Sequence, residues 1–572
     1  MTDFRIEHIP FTEDAVSVFA EKDERHQNWP VVYVLDEPSS VYVGETLAAT
    51  SRLRQHLANP NKRRFTGARI VFDDTFNKSA CLDLESFLIN AFAGDDRLKV
   101  TNKSAGSVDR NYYERERYRE TFTQVFERLR ELGLFTRSLP EIQNSEFFKL
   151  SPFNALTTDQ AVAMEGILET LFQELEEGVG STLVVQGDPG TGKTIVALSL
   201  MKLLLDIAHA DRQDALDADT MFSDFFQEGN ADLLQGRRIG LVVPQQSLRA
   251  TVKRVFRKVD GLEPAMVLSP FDVGESGERY DVLIVDEAHR LSRRARQASG
   301  FDHRRYKDIN LRLYGEDDPR YTQLDWLRTQ STHQVLLVDT AQRVRPGDLG
   351  AEHLQDVIEE ARRTRRHFLL ASQMRVLGGE DYIDYVRNVL NGIPVAPKRF
   401  GEYDLRFFDD LASMREEIQA REDEVELSRL VAGYAWKWRS KRDGSAFDIE
   451  LDGVQLRWNS TPVDWIRSSS SVHEVGSIHT VQGYDLNYAG VLIGPDLRYD
   501  PVARRMFVDR ASYHDSRGKS NLGELGITIS DDDLLEYIRS IYFVLLTRGM
   551  RGTYVYVVDP HLREHLRPYF GG

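Results

Sequence analysis

Residues 181–200, STLVVQGDPGTGKTIVALSL, decide how this chain is read. An apolar, strand-like run passes into Gly187-Asp188-Pro189-Gly190-Thr191-Gly192-Lys193-Thr194 and then into apolar helix formers. That order of strand, G-x-x-x-x-G-K-[ST] and helix is the context a phosphate-binding loop requires. Gly187, Gly190 and Gly192 let backbone N–H groups curl round an anion without a Cβ in the way, and the helix N-terminus adds its dipole. Lys193 is placed to reach the β- and γ-phosphates of a nucleotide such as ATP, and Thr194 to ligate Mg²⁺. The bland alternative is a glycine-rich turn that binds nothing; strand and helix on either side weigh against it.

Working outward, from about residue 151 apolar runs ending in polar residues alternate with helical stretches: RIGLVVP, YDVLIVD, HQVLLVD, YAGVLIG and GTYVYVVD. Nearly continuous apolar strands between helices predict a buried parallel sheet and an α/β fold. The run FVLL, residues 543–546, reads as a further strand. The strand DVLIV ends in Asp286-Glu287-Ala288-His289, and an acid at the end of a buried strand is costly unless it serves an ion. Asp286 is the candidate Mg²⁺ partner, and Glu287 is placed to orient or deprotonate an attacking water. A strand-terminal helix cap would explain one of these acids.

The bulk numbers limit the partners. At 572 residues the chain exceeds a single core, and about three to four domains are expected. A net charge of −17 excludes a uniformly basic coat, so any nucleic-acid site is a local groove on an acidic body. The single cysteine, Cys81, excludes an internal disulfide framework and a multi-thiolate zinc site. There is no apolar run long enough to span a membrane and no signal-peptide pattern, so a cytoplasmic protein is expected. Residues 206–236 form an acidic, polar interruption that reads as an insertion.

With GDPGTGKT and VDEAH in place, residues 151–565 resemble a superfamily 1 nucleic-acid helicase, and the later segments are closest to a bacterial family allied to the Schlafen helicase domain. The resemblance implies two RecA-like lobes with ATP in the seam. It places Gln160 of LTTDQ on the adenine edge and makes Gln342 of VLLVDTAQ a γ-phosphate sensor. Arg375 of LLASQMR reaches across the cleft, Gln482 and Gly483 form the core of the fifth motif, and Arg548 of LLTRGMRG is an arginine finger. Strand-contacting candidates are Pro244, Gln245, Gln246 and Thr480. The basic runs KRVFRK (Lys253 to Lys258) and RRARQ near Arg293 either line a channel or are solvated helical faces.

The N-terminal runs VVYVL and VYVGET resemble the GIY-YIG nuclease signature, over about residues 30–110. The resemblance makes Tyr33 and Tyr42 the two motif tyrosines, Arg52 and His56 the R-x-x-x-H pair on one helix face, Glu85 the metal ligand, and Asn102 the late asparagine. Such chemistry needs a cation, held by Glu85, a phosphate-binding arginine, Arg52, and a proton-transfer group, Tyr33, Tyr42 or His56. The motifs here read VVY and YVG, keeping the tyrosines and the glycine. A small α/β domain with half-buried strand tyrosines is the structural alternative.

The expected domains are a GIY-YIG-like domain over 1–110, a helical connector over 111–150, lobe one over 151–370, and lobe two over 371–572 with an inserted subdomain at about 395–475. The expected function is an ATP-dependent helicase or translocase fused to a Mg²⁺-dependent endonuclease, acting on DNA in preference to RNA, in bacterial anti-phage defence or repair. A motor or nucleotide switch whose N-terminal domain binds without cutting stays open, as do a homo-oligomer and defence-system partner proteins.

Overall fold

Five strands open the chain: β1 (Arg5–Pro10), β2 (Val31–Asp36), β3 (Ser40–Thr46), β4 (Gly67–Phe72) and β5 (Lys99–Val100). This view comes from a computed structural model, in which residues 4–103, 111–210, 222–294, 300–339, 342, 345–373, 376–461, 465–481 and 484–571 are described. The strands lie in the order β1-β4-β2-β3-β5, antiparallel except for β3 with β5. Val31, Tyr33, Leu35, Ile70 and Phe72 point into one core with Leu53 of the helix Ala49–Ala58. A second helix, Lys78–Asp95, starts on an Asn77 cap whose side chain accepts from the Ala80 N–H. The charged connector forms the helix Arg115–Glu131, which buries Tyr118, Phe122, Val125 and Leu129 at helical spacing.

The glycine loop leaves the first parallel sheet. Its strands are β6 (Ser181–Gly187), β7 (Ile239–Val242), β8 (Val267–Leu268), β9 (Tyr280–Val285), β10 (Ser331–Val338) and β11 (His367–Leu370). They run in the order β11-β6-β10-β9-β7-β8, with β6, β7, β9, β10 and β11 paired in parallel. Val184, Leu283, Val285, Leu336 and Val338 are buried together, which is why each strand reads as an unbroken apolar run.

The second sheet uses β12 (Asp404–Phe408), β13 (Ser428–Ala432), β14 (Ile449–Leu451), β15 (Val454–Trp458), β16 (Glu474–Ser477) and β17 (Leu486–Ile493). A separate antiparallel ribbon, β18 (Leu497–Asp500) with β19 (Arg505–Val508), precedes its last strand, β20 (Gly549–Val557). The order is β12-β20-β17-β13-β16-β15-β14, parallel except for β14 with β15. The stretch 395–475, expected to hold an inserted subdomain, is woven into this sheet and supplies β12 to β15 and the start of β16.

The fold is thus α/β, with two RecA-like parallel sheets after an N-terminal mixed sheet. One sequence expectation is corrected: residues 543–546 are not a strand but the end of the helix Asp531–Leu546. Leu534, Ile538, Ile541 and Leu545 set a helical spacing there, and a four-residue apolar run alone does not separate a buried strand from a buried helix.

The chain forms two compact units, one of Met1–Gly178, Thr194–Arg237 and Thr251–Val267, the other of Val179–Lys193, Arg238–Ala250 and Leu268–Gly572. Both parallel sheets belong largely to the second unit. Among the described residues no helix is long and apolar enough to cross a membrane.

Candidate nucleotide site and N-terminal residue cluster

Gly190 and Gly192 turn the loop with φ of 87° and 76°, a left-handed backbone that strains any residue with a Cβ. Thr191 braces it, its Oγ1 donating to Asp188 O at 2.9 Å. Lys193 is buried, and its Nζ donates to Gly187 O at 2.7 Å and Asp188 O at 2.8 Å, 3.1 Å from Asp339 Oδ2. Gln342 Nε2 donates to the same Asp339 oxygen at 2.9 Å. Asp339 is fully buried at the end of β10 and was not singled out from the sequence. The signal was present: HQVLLVD ends a buried strand in an acid, the argument that selected Asp286.

Asp286 is buried at the end of β9, and one of its oxygens accepts from the Glu287 N–H at 3.0 Å. Glu287 has φ of 52°, a strained conformation for a non-glycine residue of the kind found at functional sites. Its carboxylate lies 3.0 Å from His289 Nε2 and 3.3 Å from Arg290 Nε. His289 Nδ1 accepts from the Asp339 N–H at 3.2 Å, which leaves Nε2 on the side of Glu287. Burial pushes the Glu287 carboxyl up, but His289, Arg290 and Lys193 outweigh it and hold it well below the usual carboxylate range. The corner therefore carries an ionised, oriented acceptor. The hard carboxylate oxygens of Asp286 suit Mg²⁺.

The other candidates are placed as follows. Gln160 is buried, and its Oε1 accepts from Thr157 N at 3.0 Å in the capping box of the helix Thr158–Glu177. Arg548 is buried before β20, its Nη1 donating to Tyr484 O at 3.2 Å. Thr480 Oγ1 is 2.8 Å from Ser477 Oγ, and Gln245 Nε2 donates to Ser247 Oγ at 3.2 Å. Arg375, Gln482 and Gly483 lie outside the described residues. In the basic runs, Arg254 pairs with Glu146 at 3.0 Å and Lys258 with Asp96 at 3.1 Å, while Arg293 Nε donates to Pro346 O at 2.9 Å. These three are engaged within the protein itself.

In the N-terminal sheet, Tyr33 on β2 lies opposite Gly44 on β3. A Cβ at Gly44 would overlap the Tyr33 phenol, so the motif glycine makes room for the motif tyrosine. Tyr33 Oη is 2.6 Å from His56 Nε2. Burial holds the Tyr33 phenol protonated and, with Lys62 and Arg52 nearby, drives His56 down to about 2. Tyr33 is therefore the donor and neutral His56 the acceptor. Tyr42 is half-buried with the Lys62 ammonium 3.7 Å from its ring centre.

Glu85 projects from the helix Lys78–Asp95. Burial, then the Glu45 carboxylate, push it up to about 8, against Lys78, Arg52 and a hydrogen bond from the Glu45 backbone. Lys78 Nζ is 2.5 Å from Glu45 Oε1, while Glu45 Oε2 is buried without a hydrogen-bond partner. Two crowded carboxylates, one with an orphaned oxygen, fit a divalent cation. Asn102 instead ties the sheet: its Oδ1 accepts from Val43 N at 3.1 Å and its Nδ2 donates to Val43 O at 2.7 Å.

A glycine loop on a parallel sheet, backed by strand-end acids and joined to a second parallel sheet, defines a helicase-like P-loop protein. Residues 180–559 match the family model described as Schlafen group 3, DNA/RNA helicase domain, and the chain belongs to that family. It is 27% identical over 462 residues to the uncharacterized protein YPL245W of Saccharomyces cerevisiae, covering 75% of this chain and 93% of that protein. Similar solved structures include a Pif1 helicase from Bacteroides in complex with ADP-AlF3 and ssDNA, at 10% identity and a TM-score of 0.27 over 68% of this chain and 91% of that one. A DEAD box protein from Methanococcus jannaschii matches at 10% identity and a TM-score of 0.21 over 73% and 96%.

Proposed function

We propose that this protein is an ATP-driven motor on nucleic acid, DNA in preference to RNA, joined to a Mg²⁺-dependent endonuclease of the GIY-YIG type. One observation carries the motor: Lys193, Asp339, Gln342, His289 and Glu287 form a single network that joins the phosphate loop to two strand ends. Ionised Glu287 orients or deprotonates the attacking water, Lys193 balances phosphate charge, and Gln342 reports on that charge through Asp339. Asp286 would hold Mg²⁺, as the helicase motifs imply for Thr194 also, and the ion would supply further charge neutralisation. Arg548 and Arg375, from the second lobe, stabilise the transferring phosphoryl group when the lobes close, which turns hydrolysis into a stroke.

In the N-terminal domain Arg52 would hold the scissile phosphate, and Glu85 would hold the cation. Tyr33, 2.6 Å from His56, or half-buried Tyr42 serves as the phenol for proton transfer. A cutter fused to a motor suits bacterial anti-phage defence or repair. The test is nicking with Mg²⁺, and ATP hydrolysis with and without single-stranded DNA, on wild type, Glu85→Ala and Lys193→Ala. Loss of nicking in Glu85→Ala alone and of hydrolysis in Lys193→Ala is expected. Cleavage untouched by Glu85→Ala removes Glu85 as the metal ligand. Absence of nicking in wild type leaves a domain that binds without cutting, in keeping with the burial of Tyr33 and the neutrality of His56.

A further inference from the structure

Asp188 is an unexpected residue in an anion-binding loop. The backbone N–H groups of such a loop and Lys193 gather positive potential for phosphate. A carboxylate at the loop's second position adds a like charge to the same place. In the structure that carboxylate is met by Arg387, on the helix Gly379–Leu390, with Nη2 2.8 Å from Asp188 Oδ2. Asp384 holds the same guanidinium at 2.7 Å, and Phe543 lies under it with the ring centre 5.3 Å away. The next loop residue is gripped as well: Gln373 Nε2 donates to Pro189 O at 2.6 Å. Two consecutive residues of the loop are thus held by side chains that arrive after β11, at the start of the second lobe.

The pair does little for stability. The side chains of Asp188 and Arg387 are 46% and 31% exposed, and ion pairs in water of that kind contribute little. Its consequence is electrostatic and local. With Arg387 in place the loop presents its N–H groups and Lys193; with Arg387 withdrawn it also presents an uncompensated negative charge.

We propose that Arg387 is a positioning residue for the nucleotide. It cancels the Asp188 charge, so that the loop takes up a triphosphate well only while the second lobe lies against it, which couples lobe closure to nucleotide affinity. This rests on the reading of the loop as an ATP site and adds a residue that the helicase motifs do not include. It also gives Asp188 a purpose: the acid lowers affinity in the open state and so helps product leave.

The full chain is titrated with a fluorescent ATP analogue, and steady-state hydrolysis is measured beside it. Arg387→Ala is expected to weaken nucleotide binding about tenfold and to raise KM more than it lowers kcat, a size usual for coupled sites. Arg387→Lys should recover part of the loss. Asp188→Asn combined with Arg387→Ala should recover most of it, because the charge that needed cancelling is gone. The defect of Arg387→Ala should also shrink as salt rises. Wild-type affinity in Arg387→Ala overturns the proposal. So does a double variant as weak as Arg387→Ala alone, since Arg387 would then be touching the nucleotide itself. Wild type that binds no nucleotide overturns the ATP-site reading and this inference together, whereas binding that is lost only in Lys193→Ala spares the former and removes the latter.

Discussion

Two half-buried glutamates, one in each candidate site, are driven in opposite directions. Glu287 follows a strand-end aspartate, faces His289, Arg290 and Lys193, and stays ionised. Glu85 faces Glu45 and is pushed up to about 8. Burial acts on both in the same sense; the charge of the neighbours decides the outcome. An ionised carboxylate is ready to accept a hydrogen bond from water. A carboxyl that prefers to be neutral gives up its proton readily only when a cation offsets its neighbour. The proposed roles, a water-orienting acid and a cation ligand, follow this difference.

The most severe way to break this comparison is Lys193→Ala, which is expected to lower ATP hydrolysis by about 100-fold or more while Mg²⁺-dependent nicking persists. Phosphate release and plasmid nicking measured on one preparation check it, and joint loss of both would show that the two sites are not separate. Next in size, Glu85→Ala should cut nicking by about 100-fold with little change in hydrolysis, and chelation of Mg²⁺ should mimic it on the nuclease side. His289→Ala removes the group that orients Glu287 and should slow hydrolysis about tenfold; an unchanged rate would mean that Arg290 and Lys193 suffice.

A smaller effect tests whether Asn102 is structural. Asn102→Ala leaves the buried Val43 N–H and C=O without that partner and should destabilise the N-terminal sheet by about 1–3 kcal/mol, read by thermal melting. The smallest extends the comparison to a buried acid outside both sites. Burial raises Asp496 to about 7, against a hydrogen bond from Tyr542 Oη at 2.6 Å. Between about pH 4 and its raised value the folded chain keeps a proton that the unfolded chain has lost, so stability falls as pH rises through that window and levels off above it. Asp496→Asn should lack this slope. Its melting temperature, set against that of wild type, should gain a few degrees from pH 5 to pH 8.

Much of the fold was legible because local chemistry repeats in local sequence. Unbroken apolar runs gave away β6, β7, β9 and β10 of the first parallel sheet and β17 and β20 of the second. The run 543–546 misled because four apolar residues carry no period of their own. The stretch 395–475 was opaque for a related reason: its strands β14 and β15 are only three and five residues long and lie at the sheet edge. Asp339 carried the same signal as Asp286 and was passed over in favour of Gln342, three positions on.

What the chain order alone determined is the phosphate loop: Gly190, Gly192, Lys193 and Thr194 must be neighbours in sequence because they bend round one small anion. What only the tertiary structure decided is the charge state of each acid and the partner of Asp188. The guanidinium that answers Asp188 lies 199 positions away, and Glu45 reaches Glu85 only because β3 and the helix Lys78–Asp95 come together. Coulomb forces and burial depend on distance through space, and sequence order does not state that distance.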